Sequence, residues 1–525
     1  MTRTHSPRTH PTPTLSYCPP LDSSLEATGS TGKSADHGSA ALIPSTPSRD
    51  FQSLLLPPTI EGITASAKII QGGGILAFPT ETVYGLGADA RNPTAIKKVF
   101  QAKGRPLTDP LIVHVAKSED GRKLLNFDGG DDSEGSQVFE LLSRQFWPGA
   151  LTIIGRGAED LPPMLMANTG FVGVRCPSHP LAQALLNAAG CPVAAPSANR
   201  FGHVSPTMAK HVLADLGDRG VKVLNGEDKR EAFMVKPCEF GIESTVVKIE
   251  EETKKVIVLR RGAISVQQLK KCLRGEITRS VPSSPLKFGT SADENNRIKI
   301  DEAALKKWEL NLVTNNHHEM PKLSEEDENG AEDYDNVNEQ PRKKRRKLSN
   351  GTSGLSTNDS SAPSTPPLAQ NGNGNGSRDS SSVSDPSPLK VVCGVGHVAP
   401  GQLITHYAPD GLVCCIVSCE KSGEAGKEGL LEKKTVVLDF NGHLAQRGLT
   451  IDNENVVAYK DLSVKGSVAE ASKNLFAYLR WSETFNESAE RLFLADVGVL
   501  MAQDDDVGGI EDRMFRAASG KRVQL

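Results

Sequence analysis

The sequence predicts an α/β protein: a mixed sheet with covering helices, followed by a smaller α/β unit at the carboxyl end. Three observations carry that expectation. Helically spaced apolar residues alternate with short apolar runs over 56–275, the alternation returns over 390–525, and the stretches 1–55 and 276–389 show neither period. The 37% hydrophobic share of the 525 residues, with 48 Gly and 33 Pro, fits two sound cores diluted by polar tracts.

Residues 1–55 are rich in Ser, Thr, Pro, His and Gly and cannot bury enough surface to offset the entropy of ordering, so a disordered arm is expected. Arg3 and Arg8 precede the first acid, Asp22, as in an organelle-targeting leader, but Pro7, Pro11 and Pro13 spoil the amphipathic helix such leaders need. After Pro57-Pro58, Ile60, Ile63, Ala67 and Ile70 repeat at helical spacing until Gly72-Gly73-Gly74, and Ile75 to Phe78 reads as a buried strand. Helices are expected at 93–103, 137–146 and 179–189, and strands at 111–115, 151–155, 171–175, 192–195 and 245–249. The stretch 276–389 reads as a disordered linker with an acidic patch at 324–335 and Asn-Gly repeats at 371–376. Its basic run Arg342 to Lys347 is either a nuclear address or nucleic-acid contact, or a solvated block balancing the acids. Over 390–525, Leu412–Val417 and Thr435–Leu438 read as strands, while Val468, Ala471, Leu475 and Leu479 mark a helix and Gly508 to Ala518 a last one.

The formal charge of −4 excludes a generally basic nucleic-acid coat and a strongly acidic protein. No run of about 18 apolar residues occurs, so no transmembrane helix is expected. The first twenty residues lack a secretory core, which makes the cytoplasm the expected compartment, with a nuclear or mitochondrial fraction left open. Nine cysteines without a CxxC pair argue for reduced, packed thiols rather than a disulfide framework or zinc module.

Ala27 to Ser34 matches a relaxed phosphate-loop pattern, but no strand delivers it and no helix leaves it, so it is rejected. Lys103-Gly104-Arg105-Pro106 is a better anion site: Pro disfavours helix at Arg105, and an extended chain would point both cations at a common polyphosphate. The plainer reading is an exposed basic turn. Pro79 to Gly87 is a hydroxyl- and Gly-rich turn leaving a strand, where open α/β sheets place ligands, or else a capped helix start. Ala194 to Asn199 puts Ser197 and Asn199 on one side of a second turn, or forms an Asx/Ser turn; Glu243 to Val246 opens a strand with hydroxyls. His114 sits inside an apolar strand, as core histidines do. Arg175, in a similar strand, needs an anionic partner, which a substrate carboxylate or an internal acid would supply equally well.

Taken in order, Pro79-Thr-Glu-Thr-Val-Tyr-Gly-Leu86, Lys103-x-Arg105-Pro, Pro110-Leu-x-x-His114, Val174-Arg175, Ser197-x-Asn199, Ser205-Pro-Thr207 and Ser244-Thr-Val246 resemble the YrdC-like threonylcarbamoyl-AMP synthases in their long, two-domain form. The resemblance covers about 59–275 strongly and the carboxyl region more loosely, through Pro400-Gly401 and His406-Tyr407-Ala408-Pro409. It implies a YrdC-like open twisted mixed sheet and a Rossmann-like second domain. It also implies a nucleotidyltransferase reaction, in which L-threonine, bicarbonate and ATP give threonylcarbamoyl-adenylate and pyrophosphate on the way to N6-threonylcarbamoyladenosine at tRNA position 37.

By the same resemblance, Lys103 and Arg105 are the expected catalytic, phosphate-binding pair; Ser197, Asn199, Ser205, Arg260 and Tyr407 join them at ATP, and Thr82, His114, Arg175, Ala195 and Ser244 hold threonine. Mg²⁺ is expected to travel with ATP, without a protein-bound metal cluster. The product would pass to the tRNA threonylcarbamoyl-transfer machinery, and no membrane partner is expected.

Three stretches depart from the family pattern. Asp109 stands where Asn or Lys is usual, so a backbone or metal-mediated phosphate contact is expected there. Gln402 and Ile404 interrupt the motif before Tyr407, and Arg260-Arg261-Gly262 replaces Arg-Pro-Gly. Two alternatives remain: a double-stranded RNA-binding module of the same fold, which the near-neutral charge weakens, and a hydrogenase-maturation enzyme, which would carry CxxC zinc modules that this chain lacks.

Overall fold

Thr59 caps the first long helix by accepting a hydrogen bond from the Gly62 amide at 3.3 Å, and the helix then runs Ile60–Gln71 with Ile63, Ala67 and Ile70 buried. The computed structural model in which it lies describes residues 49–229, 236–277, 307–312, 397–400, 406–418 and 432–525. The phosphate-loop-like match, the basic run 342–347, and Gln402 and Ile404 lie outside those residues.

Across the amino-terminal region the strands lie in the order Leu55–Leu56, Lys222–Leu224, Leu76–Phe78, Gly85–Asp89, Val193–Ala194, Ile112–His114, Phe171–Arg175, Leu151–Gly157, Thr245–Glu250, Lys255–Arg260 and Glu309–Leu312. A short strand, Leu125–Asn126, pairs with Leu151–Gly157 off this path. The sheet is mixed, as expected: Leu76–Phe78 pairs antiparallel with Gly85–Asp89, whereas Ile112–His114 runs parallel to Phe171–Arg175. The connection at residues 79–84 is therefore a hairpin loop rather than a helix start.

Helices Pro93–Lys103, Glu134–Phe146 and Pro180–Ala189 cover the sheet where expected. The second begins three residues early because Ser133 caps it. The sequence reading missed helix Ala209–Leu216 and strand Lys255–Arg260. Two expected boundaries need correction: helix Arg49–Gln52 and strand Leu55–Leu56, paired with Lys222–Leu224, lie at the end of the expected arm 1–55, and within the expected linker 276–389 Trp-Glu-Leu-Asn-Leu at 308–312 carries a period of two, buries Trp308 and adds Glu309–Leu312 parallel to Lys255–Arg260.

The carboxy-terminal region holds five parallel strands in the order Val456–Asp461, Thr435–Asp439, Arg491–Ala495, Val413–Ser418 and Arg522–Gln524. Helices Val468–Ser482 and Val507–Ala517 pack Leu475, Phe476, Leu479, Ile510 and Met514 against it. Val83, Val204, Ile242 and Tyr407, all from segments before this sheet, belong to the same apolar cluster. The two regions are thus joined by a shared core as well as by polar contacts. Among the described residues no helix is long and apolar enough to cross a membrane.

Candidate active site

The turns singled out above meet at one cleft of about 570 Å³, counting its open mouth. Nine of the twelve expected site residues line it: Thr82, Arg105, His114, Arg175, Ala195, Ser197, Ser244, Arg260 and Tyr407. Lys103, Asn199 and Ser205 stand one layer behind, each bonded to a lining residue.

One wall is built from the hairpin loop and the end of Phe171–Arg175. Thr80 Oγ1 donates to the Val83 carbonyl at 2.6 Å and accepts from the Thr82 and Val83 amides, which fixes the loop without help from a helix. Arg175 is 4% exposed and finds an internal acid: its NH2 lies 2.5 Å from Glu81 Oε1, while NH1 donates to Thr82 Oγ1 at 2.9 Å and Nε to the Gly149 carbonyl at 3.2 Å. Glu81 also accepts from the Ser178 amide at 3.0 Å, so it orients the guanidinium from a fixed platform. Beside it, burial and then the Arg175 charge push His114 down to about 3, leaving a neutral imidazole whose buried Nδ1 has no hydrogen-bond partner among the described residues.

The facing wall carries the basic segment, and here the expected geometry is overturned. Lys103 is the last residue of its helix and Gly104 is left-handed at φ 65°, so Lys103 and Arg105 do not project side by side from an extended chain. Lys103 Nζ instead donates to the Ser197 and Asn199 carbonyls, both at 2.6 Å, pinning that turn from behind. Burial and then the neighbouring Arg105 charge hold its pKa well below the ordinary lysine value. Arg105 reaches the cleft with Nε on the Asp109 carbonyl at 3.0 Å, and NH2 on the Pro110 carbonyl at 2.8 Å and near the Asp109 carboxylate at 3.0 Å. Asp109 is accordingly the buried counterion of Arg105.

The Ser197–Asn199 turn is closed by Ser197 Oγ donating to Asn199 Oδ1 at 2.5 Å, and Asn199 Nδ2 donates to the Arg200 and His203 carbonyls. Arg260 donates to the Ser244 carbonyl and hydroxyl, both at 3.1 Å. Gly262 lets this corner close, because a Cβ there would stand 2.5 Å from the Glu243 and Ser244 backbone. Ser205 Oγ donates to Glu243 Oε1 at 2.6 Å, a bond that explains its place behind the surface.

Pro400, His406 and Tyr407 form the cover. Tyr407 has a left-handed backbone at φ 67° and is 1% exposed, with its ring 5.0 Å from Phe476 of the carboxy-terminal region. Burial, then the Glu243 charge, raise its phenol above the ordinary range, so the hydroxyl is kept protonated. Glu81, Glu243 and the arginines of the last two helices were given no role from sequence. A signal was present: Arg480 lies four residues after Phe476 and Arg513 three after Ile510, on the apolar stripes of their helices, a spacing that marks them as facing inward. Among the described residues no group of three or more His, Cys, Asp or Glu side chains is placed to hold a metal ion.

Comparison with known proteins follows the same division of the chain. Residues 68–262 match the Sua5–YciO–YrdC profile, described as telomere recombination, and residues 384–519 match the profile described as threonylcarbamoyl-AMP synthase, C-terminal domain. A threonylcarbamoyl-AMP synthase of Bacillus subtilis is 41% identical over 208 residues, 39% of this chain and 55% of the relative, so the match spans about half the relative's length. One from Vibrio campbellii is 35% identical over 160 residues, 30% of this chain and 84% of the relative. The crystal structure of Pyrococcus abyssi Sua5 complexed with L-threonine superposes with a TM-score of 0.55 over 90% of this chain and 98% of that one, at 21% identity, which shows a common fold. With both profiles matched in order and the cleft built from the motifs that first suggested the likeness, the chain belongs to the YrdC-like threonylcarbamoyl-AMP synthase family in its two-domain form.

Proposed function

We propose that this protein is an L-threonylcarbamoyladenylate synthase, converting L-threonine, bicarbonate and ATP to threonylcarbamoyl-AMP, pyrophosphate and water. The observation that carries the reading is the convergence of nine expected residues, drawn from between positions 82 and 407, on one cleft.

In this reading Arg175, held by Glu81, presents its fork to the threonine carboxylate. Thr82, His114, Ala195 and Ser244 shape the rest of the amino-acid side, the neutral His114 ring adding no charge. Arg105, Arg260, Ser197 and Tyr407 face the nucleotide. Lys103, Asn199 and Ser205 set the turns that carry these groups. The threonine amine adds to bicarbonate, losing water, to give a carbamate. A carbamate oxygen then attacks the α-phosphorus, and the bond to pyrophosphate breaks. Fixed cations at the phosphates stabilise the charge that grows on the leaving group, and holding the two reactants side by side replaces a bimolecular encounter. Mg²⁺ would enter bound to the triphosphate. The product suits a consuming step on tRNA adenosine, and a cytoplasmic enzyme with a nuclear or mitochondrial fraction fits this reading. The test is purified protein with ATP, bicarbonate and labelled threonine: threonine-dependent pyrophosphate and a labelled mixed anhydride are expected, and pyrophosphate release indifferent to threonine would overturn the proposal.

A further inference from the structure

The nucleotide-facing wall contains a carboxylate that a phosphate-binding surface has no use for. Glu243 lines the cleft at 6% exposure, and an unpaired acid there would repel a triphosphate across a poorly screened distance. Its compensation comes from the far end of the chain. Nε of Arg513, on the last long helix Val507–Ala517, lies 3.0 Å from Glu243 Oε2, and Arg513 is wholly buried. Its NH1 donates to the Arg261 carbonyl, next to the Gly262 corner, and to the Gly509 carbonyl at 3.3 Å, with Asp512 at 3.2 Å. Other candidates for neutralising Glu243 are less suited. Arg260 adds a second charge nearby but makes its hydrogen bonds to Ser244 rather than to Glu243, and His406 is pushed by burial down to about 3 and carries no charge.

We propose that Arg513 is a positioning residue for the nucleotide: it holds Glu243 against the wall and cancels its charge, so that the carboxy-terminal region completes the electrostatics of a cleft whose lining comes mostly from the amino-terminal region. Burial by itself would favour the neutral acid, but the Arg513 charge, then Arg260 and the Ser205 hydroxyl, outweigh it and keep Glu243 ionised. The inference rests on the reading of the cleft as an ATP site.

The experiment measures dissociation constants of adenosine, AMP, ADP and ATP by calorimetry for the full-length protein and for Arg513→Met, Arg513→Lys, Glu243→Gln and the Glu243→Gln/Arg513→Met double variant, with thermal unfolding alongside. Arg513→Met is expected to weaken ATP by about tenfold or more, with the loss shrinking through ADP and AMP to nearly nothing for adenosine. Arg513→Lys, which keeps the charge, and the double variant, which removes both charges, should return ATP binding to within about threefold of the parent. Equal losses for all four ligands would mean that Arg513 only supports the fold, and no loss would mean that it does not act on the site; either overturns the proposal. If Arg513→Met does not fold, Glu243→Gln decides, since removing the acid should tighten ATP relative to adenosine and an unchanged ratio refutes the idea. A parent protein that binds no ATP would instead bring down the functional reading.

Discussion

The two walls of the cleft differ in where their support comes from. The wall proposed for threonine is self-contained: Arg175 is held by Glu81, Thr82 and Gly149, all within 94 residues of one another in the amino-terminal region. The wall proposed for the nucleotide is shared. Glu243 is held by Arg513, Tyr407 packs on Phe476, and the Ser197–Asn199 turn is braced through Asp215, which receives Arg480 NH2 at 2.7 Å. His203 stands in the same seam between Asp215 at 2.9 Å and Glu483 of the carboxy-terminal region at 2.6 Å. A buried charge persists only where it is paired, so each of these cations ties the wall proposed for the nucleotide to the docking of the second sheet. The wall proposed for the amino acid is preorganised within the amino-terminal region, and the wall proposed for the nucleotide depends on both regions being in place.

The largest expected effect tests the chemistry common to both walls. Arg105→Ala should lower kcat/KM by about 10²–10³, the cost of losing one fixed donor where charge develops. Steady-state pyrophosphate release measures it, and unchanged turnover would remove Arg105 from the mechanism. Arg480→Met leaves Asp215 buried beside fewer cations and should cost about 3 kcal/mol or more in urea unfolding. Its ATP dissociation constant should rise while threonine binding holds; an equal loss of threonine would break the comparison. Arg175→Lys should do the reverse, raising KM for threonine by about tenfold with KM for ATP unchanged, because a single ammonium cannot serve Glu81, Thr82 and Gly149 together and still meet a carboxylate.

The smallest effect is a pH dependence. Burial works against a charged His203, but hydrogen bonds to Asp215 and Glu483 outweigh it and raise its pKa above 6.5. A group raised on folding contributes its full stabilisation below 6.5 and loses it as pH climbs through the folded value. The seam should therefore loosen on the alkaline side of the ordinary histidine range, visible as a falling urea midpoint that His203→Asn flattens. A midpoint independent of pH in the parent would separate His203 from docking.

Much of this was legible in the residues. The helix at Pro93–Lys103 follows from Asn92, Pro93 and Gly104, and the strand Phe171–Arg175 lies where its apolar run begins and ends, because caps, prolines and runs act locally. The strand Glu309–Leu312 was hidden by its polar surroundings: four residues become a strand only when an edge is offered, here by Lys255–Arg260. The spacing of Lys103 and Arg105 marks them as a pair but does not give their directions, since a left-handed Gly104 between them turns the chain. The partner of Arg175 was likewise undecided until the hairpin loop brought Glu81 to it across 94 positions.

Local sequence thus determined the two α/β regions, most of the elements and the residue types that gather at the cleft, because periodicity, capping and motif spacing are properties of neighbouring residues. Tertiary structure alone decided which carboxylate answers which arginine, that Lys103 braces a turn from behind, and that Arg513 reaches from the last helix to a wall built 270 positions earlier. The physical reason is that the free energy of a buried charge is set by the few ångströms around it, and folding fills that space from parts of the chain whose separation in sequence carries no trace of their contact.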